Sequence, residues 1–166
     1  MGLFSFIKEA GKKIFGSHDE ETAKSPGVQP DVIAANQKAA VRAYIEKVGL
    51  QITNFDFTLD GNGKLTLSGE CANRSDYEKV ALTAGNIQGI SEVDNNMTIA
   101  SEVAANSQEP ESTLYTVEKG DSLWKIAEKH YKNGSKYKLI FEANAPMIKD
   151  EDEIYPGQVL RIPALV

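Results

Sequence analysis

Residues 52–71 read Ile52-Thr53-Asn54-Phe55-Asp56-Phe57-Thr58-Leu59-Asp60-Gly61-Asn62-Gly63-Lys64-Leu65-Thr66-Leu67-Ser68-Gly69-Glu70-Cys71. Phe55, Phe57 and Leu59 alternate with polar residues, and so do Leu65 and Leu67. A period of two puts every second side chain on one face, so each run predicts a strand buried on one side. Between them Asp60-Gly61-Asn62-Gly63 supplies the residues of a tight turn, and the pair predicts a hairpin. Ser68-Gly69-Glu70 is expected to close the second strand. Asp56 and Asp60-Gly61 also invite a calcium loop. Such a loop wants an acidic or Asn ligand at its third position and Glu at its twelfth. Thr58 and Leu67 stand there, so the hairpin reading prevails.

Working outward, Ile33, Ala40, Val41, Tyr44, Ile45 and Val48 fall at helical spacing, and Gly49 stops that helix. Beyond the hairpin, Tyr77, Val80, Ala81 and Ala84 make the buried face of a second helix over 73–85, capped by Asn73 or Ser75. Gly85-Asn86-Ile87-Gln88-Gly89-Ile90 then turns the chain, and Val93 to Ile99 makes a last strand. The block 32–100 therefore runs helix, strand, strand, helix, strand. Polar stretches with Pro and Gly flank it, and residues 16–31 and 101–112 are read as linkers.

The chain has 166 residues, 41% of them hydrophobic, which allows one ordinary domain or two small ones. No apolar run approaches the roughly 20 residues needed to span a bilayer. Cys71 is the one cysteine, so no internal disulfide forms, which fits a reducing compartment. Residues 1–113 hold 10 basic and 16 acidic side chains, and residues 114–166 hold 8 of each. The acidic first part repels phosphate backbones, which argues against a nucleic-acid partner, and it attracts cations.

The N-terminus does not read as a secretory signal, because Lys8, Glu9, Lys12 and Lys13 break its apolar run. Phe6 stands where N-myristoylation would want Ser or Thr. Phe4, Ile7, Gly11, Ile14 and Phe15 fall at helical spacing, which predicts an amphipathic helix over 1–15. Its apolar stripe is expected to dock on the protein's own body, with a membrane surface as the competing use. Gly11 is a place for that helix to end early.

The last third carries Tyr115-Thr116-Val117, Gly120-Asp121-Ser122-Leu123, Ile126-Ala127, Asn144 and Ile154-Tyr155-Pro156-Gly157-Gln158-Val159-Leu160-Arg161-Ile162-Pro163. Over residues 113–163 this resembles a LysM domain. The resemblance implies a small strand–helix–helix–strand module at 113–166 that grips N-acetylglucosamine polymers such as peptidoglycan. The implied sugar groove has Gly120, Asp121, Ser122 and Leu123 on one side and Asn144, Ala145, Pro146 and Met147 on the other. Trp124 either stacks on a sugar or is partly buried beside Leu123, Ile126 and Ala127. Asp121 or Ser122 is expected to cap the first helix of the module. Asp150 to Glu153 reads as a solvated acidic loop.

The earlier block, with Gly63 to Gly69 and Ile87 to Asn95, resembles a BON domain, otherwise a binding module. The expected fold class is thus α+β, a BON domain (α-β-β-α-β) followed by a small LysM domain (β-α-α-β). That pairing, behind Met1-Gly2-Leu3-Phe4 and without a signal sequence, resembles the Kbp family of bacterial cytoplasmic potassium-binding proteins. The resemblance covers almost the whole chain, with longer linkers as its main departure. It implies selective K⁺ binding in the cytoplasm, with the ion organising the BON part against its neighbours and compacting the chain. Peptidoglycan becomes a partner only if the protein is exported. A monomer that binds neither nucleic acid nor membrane is expected.

No catalytic set is found. His18 and His130 lack ligands at metal spacing, Cys71 has no activating neighbour in sequence beyond Arg74, and no Gly-rich phosphate loop occurs. An enzyme is therefore not expected. A selective K⁺ site replaces the ion's water with neutral backbone carbonyls, so it leaves no side-chain motif. Free carbonyls occur at helix C-termini, at the negative end of the helix dipole. Two segments qualify, residues 7–12 around Gly11 and residues 85–90. With the resemblance pointing to this region, the carbonyls of Ile7, Ala10, Lys12, Gly85, Ile87 and Ile90 are expected to converge on one K⁺. Read without it, both segments are ordinary helix caps.

Overall fold

The computed structural model describes residues 2–8, 10–11, 30–100 and 112–165. The first module holds strand β1 (Gly2–Ser5), helix α1 (Pro30–Val48), β2 (Ile52–Leu59), β3 (Lys64–Cys71), helix α2 (Arg74–Gly85), β4 (Glu92–Asn95) and the short β5 (Thr98–Ile99). The second holds β6 (Thr113–Thr116), helix α3 (Leu123–Tyr131), a 3₁₀ turn at Gly134–Lys136, helix α4 (Tyr137–Asn144) and β7 (Val159–Ile162). The fold is α+β. Among the described residues no helix is long and apolar enough to cross a membrane.

The hairpin forms as its alternation predicts. β2 pairs antiparallel with β3 from Leu59 opposite Leu65 to Ile52 opposite Cys71, with an irregularity between Thr53 and Asp56. The Asp60 carboxylate caps the turn, accepting from the Asn62 and Lys64 amides at 2.9 and 2.8 Å. β3 runs on through Gly69 rather than closing there, and the expected last strand divides into β4 and β5, both parallel to β3. The sheet order is β1-β4-β3-β2. α2 crosses between β3 and β4, and its cap is Asn73, whose side chain accepts from the Asp76 amide at 2.8 Å.

Val41 and Ile45 of α1, Val80, Ala81 and Ala84 of α2, and Leu65, Leu67 and Val93 of the sheet form one core. Burying each Val, Ile or Leu among them stabilises by about 1.5–3 kcal/mol. Arg42 ties α1 to β2, donating to the Phe55 carbonyl at 3.1 Å. A second core gathers Leu123, Ile126, Ala127, Ile140, Ile148, Leu160 and Ile162.

The N-terminus corrects the sequence reading. The helix expected over 1–15 is a strand at residues 2–5, paired antiparallel with β4 from Gly2 opposite Asn95 to Ser5 opposite Glu92. Leu3 is 64% exposed, whereas Phe4 and Phe6 pack on the first core. That is the period-two pattern of a strand, and the open edge of β4 supplies a hydrogen-bond ladder that a short isolated helix cannot match. Residues 1, 9 and 12–15 of the expected helix lie outside the described residues, as do most of the two expected linkers.

Gly63 has φ +87°, and a Cβ there would overlap the Gly89 carbonyl oxygen. That oxygen is backbone and has no rotamer to move. Gly63→Ala is expected to destabilise by about 2 kcal/mol, from positive φ plus the overlap. Gly61 faces open space, so Gly61→Ala is the control with little change. Urea unfolding midpoints check both.

Candidate functional site

α2 ends at Gly85, where its last carbonyls lack helical partners and the dipole is negative. The chain then turns tightly. The Asn86 amide donates to the Leu82 carbonyl at 2.9 Å, Ile87 to Ala84 at 3.3 Å and Ile90 to Ile87 at 3.1 Å. The N-terminal segment lies on this turn. The Phe6 amide donates to the Ser91 carbonyl at 2.9 Å, and the Gly89 amide donates to the Lys8 carbonyl at 2.8 Å. The Phe6 ring covers Gly85 so closely that a Cβ there would overlap it. Gly11 presses backbone on backbone. Its φ is +133°, and a Cβ would lie 2.6 Å from the Asn86 carbonyl oxygen and 2.7 Å from the Gln88 nitrogen.

These contacts bring together the two segments singled out in the sequence. Ile7 is exposed, and its carbonyl accepts from the Ala10 amide at 3.0 Å. Ile87 is buried, and its carbonyl accepts from Ile90. No donor among the described residues meets the carbonyls of Ala10, Gly85 or Ile90. Lys12 lies outside the described residues. The N-terminal segment touches the second module, because a Cβ at Gly157 would overlap that of Ala10.

Asn86 makes the seam. Its side-chain amide donates to the Val159 carbonyl and accepts from the Val159 amide, both at 2.8 Å. Its backbone carbonyl accepts from the Tyr155 hydroxyl at 3.2 Å. Burial, with Tyr44 nearby, pushes the Tyr155 hydroxyl well above its usual range. Two turns back along α2, Glu78 accepts from Arg161 of β7 and from Arg74 at 3.2 Å. Arg161 also donates to the Ser75 hydroxyl at 3.1 Å.

The groove residues of the second module separate. Ser122 caps α3, accepting from the Lys125 amide at 3.3 Å. The Asp121 carboxylate accepts from the Tyr115 hydroxyl at 2.7 Å and the Glu118 amide at 2.9 Å. Burial works to raise the Asp121 carboxyl, but those two donors with Lys129 and Lys125 hold it below the usual carboxylate range. Gly120 and Pro146 are exposed and Leu123 is buried. Asn144 corrects the sequence reading. It is 1% exposed, and its amide is fully engaged by the Ile140 and Arg161 carbonyls at 2.7 Å and the Arg161 amide at 2.8 Å. Met147 turns from the groove to the seam, its sulfur 3.4 Å from Asn86 Nδ2.

Sequence reasoning missed Asn86, Glu78, Arg161 and Tyr155. A signal existed for one of them. Arg161 is the lone charge in Val159-Leu160-Arg161-Ile162, and charged residues are almost never buried without a partner.

The architecture is that of a two-module protein, a BON domain followed by a LysM domain. The BON domain family matches residues 34–101 and the LysM domain family residues 115–163. The chain is 36% identical to potassium binding protein Kbp of Escherichia coli O6:H1, over 98% of this chain and 99% of that protein. It belongs to the Kbp family. An uncharacterized protein of Deinococcus radiodurans is 36% identical over 63% of this chain and 43% of its own length. Uncharacterized protein YqbP of Bacillus subtilis is 41% identical over 30% of this chain and 26% of its own.

Asn86→Ala leaves the Val159 N–H and C=O without partners at a buried seam. The expected cost is about 2–4 kcal/mol, the sum of two orphaned backbone groups. Tyr155→Phe, which removes one hydrogen bond, is expected to cost about 1 kcal/mol. Equilibrium urea unfolding of the full chain measures both, and equal losses would contradict this ranking.

Proposed function

We propose that this chain is a cytoplasmic potassium-binding protein, a K⁺ sensor or buffer rather than an enzyme. In this reading it holds the ion with backbone carbonyls of residues 7–12 and 85–90. The observation that carries the proposal is the docking of the N-terminal segment on the turn after α2. The Lys8 carbonyl meets the Gly89 amide at 2.8 Å, and Gly11 sits beside the Asn86 carbonyl where no Cβ fits. Kinship with a protein named for potassium binding supports the choice of ion.

The donor type suits K⁺. Neutral carbonyl dipoles match a large, weakly hydrated monovalent ion, whereas carboxylate cages suit Ca²⁺ and Mg²⁺. Among the described residues no group of three or more His, Cys, Asp or Glu side chains is placed to hold a metal. Ala10, Gly85 and Ile90 would offer unshared oxygens, Ile7 and Ile87 would share theirs with an amide, and Lys12 completes the set read from the sequence. An ion joining two segments binds the docked form only, so K⁺ stabilises and compacts the chain, here acting as a monomer.

Calorimetric titration of the metal-free protein with KCl, against NaCl at matched ionic strength, tests this. Saturable heat with KCl alone is expected, and equal unsaturating heats would overturn the proposal. Gly11→Ala is expected to bind K⁺ about five- to thirtyfold more weakly, since a left-handed backbone costs an L-residue about 1–2 kcal/mol.

A second reading rests on Trp124, which is 54% exposed. It lines a cavity of about 220 Å³ with Ser122, Leu123, Tyr137, Glu151 and Asp152. An exposed indole beside a cleft suits stacking on a sugar ring. Retention of the native protein on peptidoglycan, lost in Trp124→Ala, would support it. No retention of the native protein would remove it.

A further inference from the structure

The sequence contains two Asn-Gly steps, Asn62-Gly63 in the hairpin turn and Asn133-Gly134 at the start of the 3₁₀ turn. At such a step the glycine amide nitrogen can reach the asparagine side-chain carbonyl carbon, because no Cβ stands in its way. Both glycine amides meet a carboxylate. Gly134 donates to Glu128 at 2.7 Å, and Gly63 donates to Asp60. The two asparagine side chains differ. Asn133 Oδ1 accepts from the Ser135 amide at 3.1 Å and the Ser135 hydroxyl at 2.6 Å. Those bonds hold its amide group on residue 135, and the Trp124 ring lies where a Gly134 Cβ would stand. Asn62 is exposed, and its side-chain amide meets the same Asp60 carboxylate that the Gly63 amide meets. Nucleophile and leaving group thus share one carboxylate. The turn fixes that carboxylate through the Asn62 and Lys64 amides at 2.9 and 2.8 Å. The other bond of the Gly63 amide, to the Asp60 carbonyl, is long at 3.3 Å.

We propose that Asn62 is a site of spontaneous modification, converting through a cyclic imide to isoaspartate and aspartate, while its cap bonds protect Asn133. Asp60 takes the proton of the Gly63 amide as that nitrogen bonds to Asn62 Cγ. The proton passes to the side-chain nitrogen, the bond from Cγ to that nitrogen breaks, and ammonia leaves. Water then opens the ring at either carbonyl. The sum is amide plus water to carboxyl plus ammonia, with no change of oxidation state. Opening at the main-chain carbonyl routes the chain through the side chain, which adds a methylene to the turn. The former main-chain carbonyl becomes a free carboxylate. Its oxygen is the one that accepts from the Ser91 hydroxyl at 3.3 Å and from Lys8 Nζ at 3.4 Å. The new charge therefore faces an ammonium group of the N-terminal segment. The added methylene lies beside Gly63, where no Cβ fits against the Gly89 carbonyl. The isoaspartate form is a substrate for an enzyme that methylates isoaspartyl carboxylates. The reaction does not depend on which ion the junction holds.

The test is a timed incubation of the full chain in mildly alkaline buffer at constant KCl. One sample stays folded and a parallel one is held unfolded in urea. Aliquots are digested for mass mapping, and isoaspartate is detected by enzymatic carboxyl methylation with labelled methyl donor. In urea Asn62 and Asn133 are expected to convert at similar rates, since both precede glycine. In the folded chain Asn62 is expected to convert several-fold faster than Asn133, with isoaspartate found at residue 62. Asp60→Asn keeps an oxygen for the turn amides and removes the base. It is expected to slow Asn62 several-fold in the folded chain and to leave the rate in urea nearly unchanged. Equal conversion of the two asparagines in the folded chain would overturn the proposal. So would a folded chain that keeps Asn62 intact while the unfolded chain loses it, and so would an Asp60→Asn chain that converts at the native rate.

Discussion

Strand β7 has two edges, and β6 satisfies only one of them. Leu160 faces β6, while the N–H and C=O groups of Val159 and Arg161 point the other way. Buried backbone groups must find partners, and two asparagine side chains provide them. Asn144 of α4 completes Arg161, and Asn86 at the end of α2 completes Val159. Each primary amide donates to and accepts from one residue of β7, as a neighbouring strand would. One of these surrogate strands belongs to the other module. The two-stranded sheet, marginal by itself, is therefore finished only when the modules are joined.

The same joint determines the role of α2. Val80, Ala81 and Ala84 enter the first core, while Ser75, Glu78, Leu82 and Asn86 recur at helical spacing on another face. Ser75, Glu78 and Asn86 all contact β7. The Glu78 carboxylate sits between two guanidinium groups, from Arg74 and Arg161. A buried pair of this kind gains little net stability over an apolar replacement, because desolvation offsets the attraction. What it does is penalise any register in which one charge is left alone. Asn86 adds direction, because its amide meets β7 in one orientation only. The turn at 85–90 thereby inherits its placement from the second module.

The parts legible in the sequence were those with local periods. Alternation at Phe55, Phe57 and Leu59 and at Leu65 and Leu67 specified the hairpin, and Gly49 marked the end of α1. The N-terminus misled because two periods coexist there. Phe4, Ile7 and Gly11 suit a helix, while Phe4 and Phe6 suit a strand. The open edge of β4, nearly ninety residues away in the chain, decides between them, and no local pattern carries that information. Asn86 and Asn144 were opaque for a related reason. An asparagine that imitates a strand looks like any turn or helix-end residue until its distant partner is known. Arg161 was the exception, since a charge inside an apolar strand requires a partner wherever it is.

A cation site built from carbonyls has no side-chain signature, so its trace must be sought in the backbone. Positive φ alone is too common to serve. Gly49 and Gly120 have it, yet each faces open space, and there glycine only turns the chain. Gly11, Gly85 and Gly157 differ, because a Cβ at each would overlap a neighbouring segment. Gly11 meets the Asn86 carbonyl, Gly85 lies under the Phe6 ring, and Gly157 meets Ala10. All three excluded side chains fall at one junction, where residues 6–11, the turn after α2 and the second module converge. Close backbone approach is what carbonyl convergence requires, and it is the condition under which glycine cannot be replaced. A Cβ would also overlap its surroundings at Gly63 and under the Trp124 ring at Gly134, so what marks this junction is that three such glycines converge where the Asn86 seam holds the modules together.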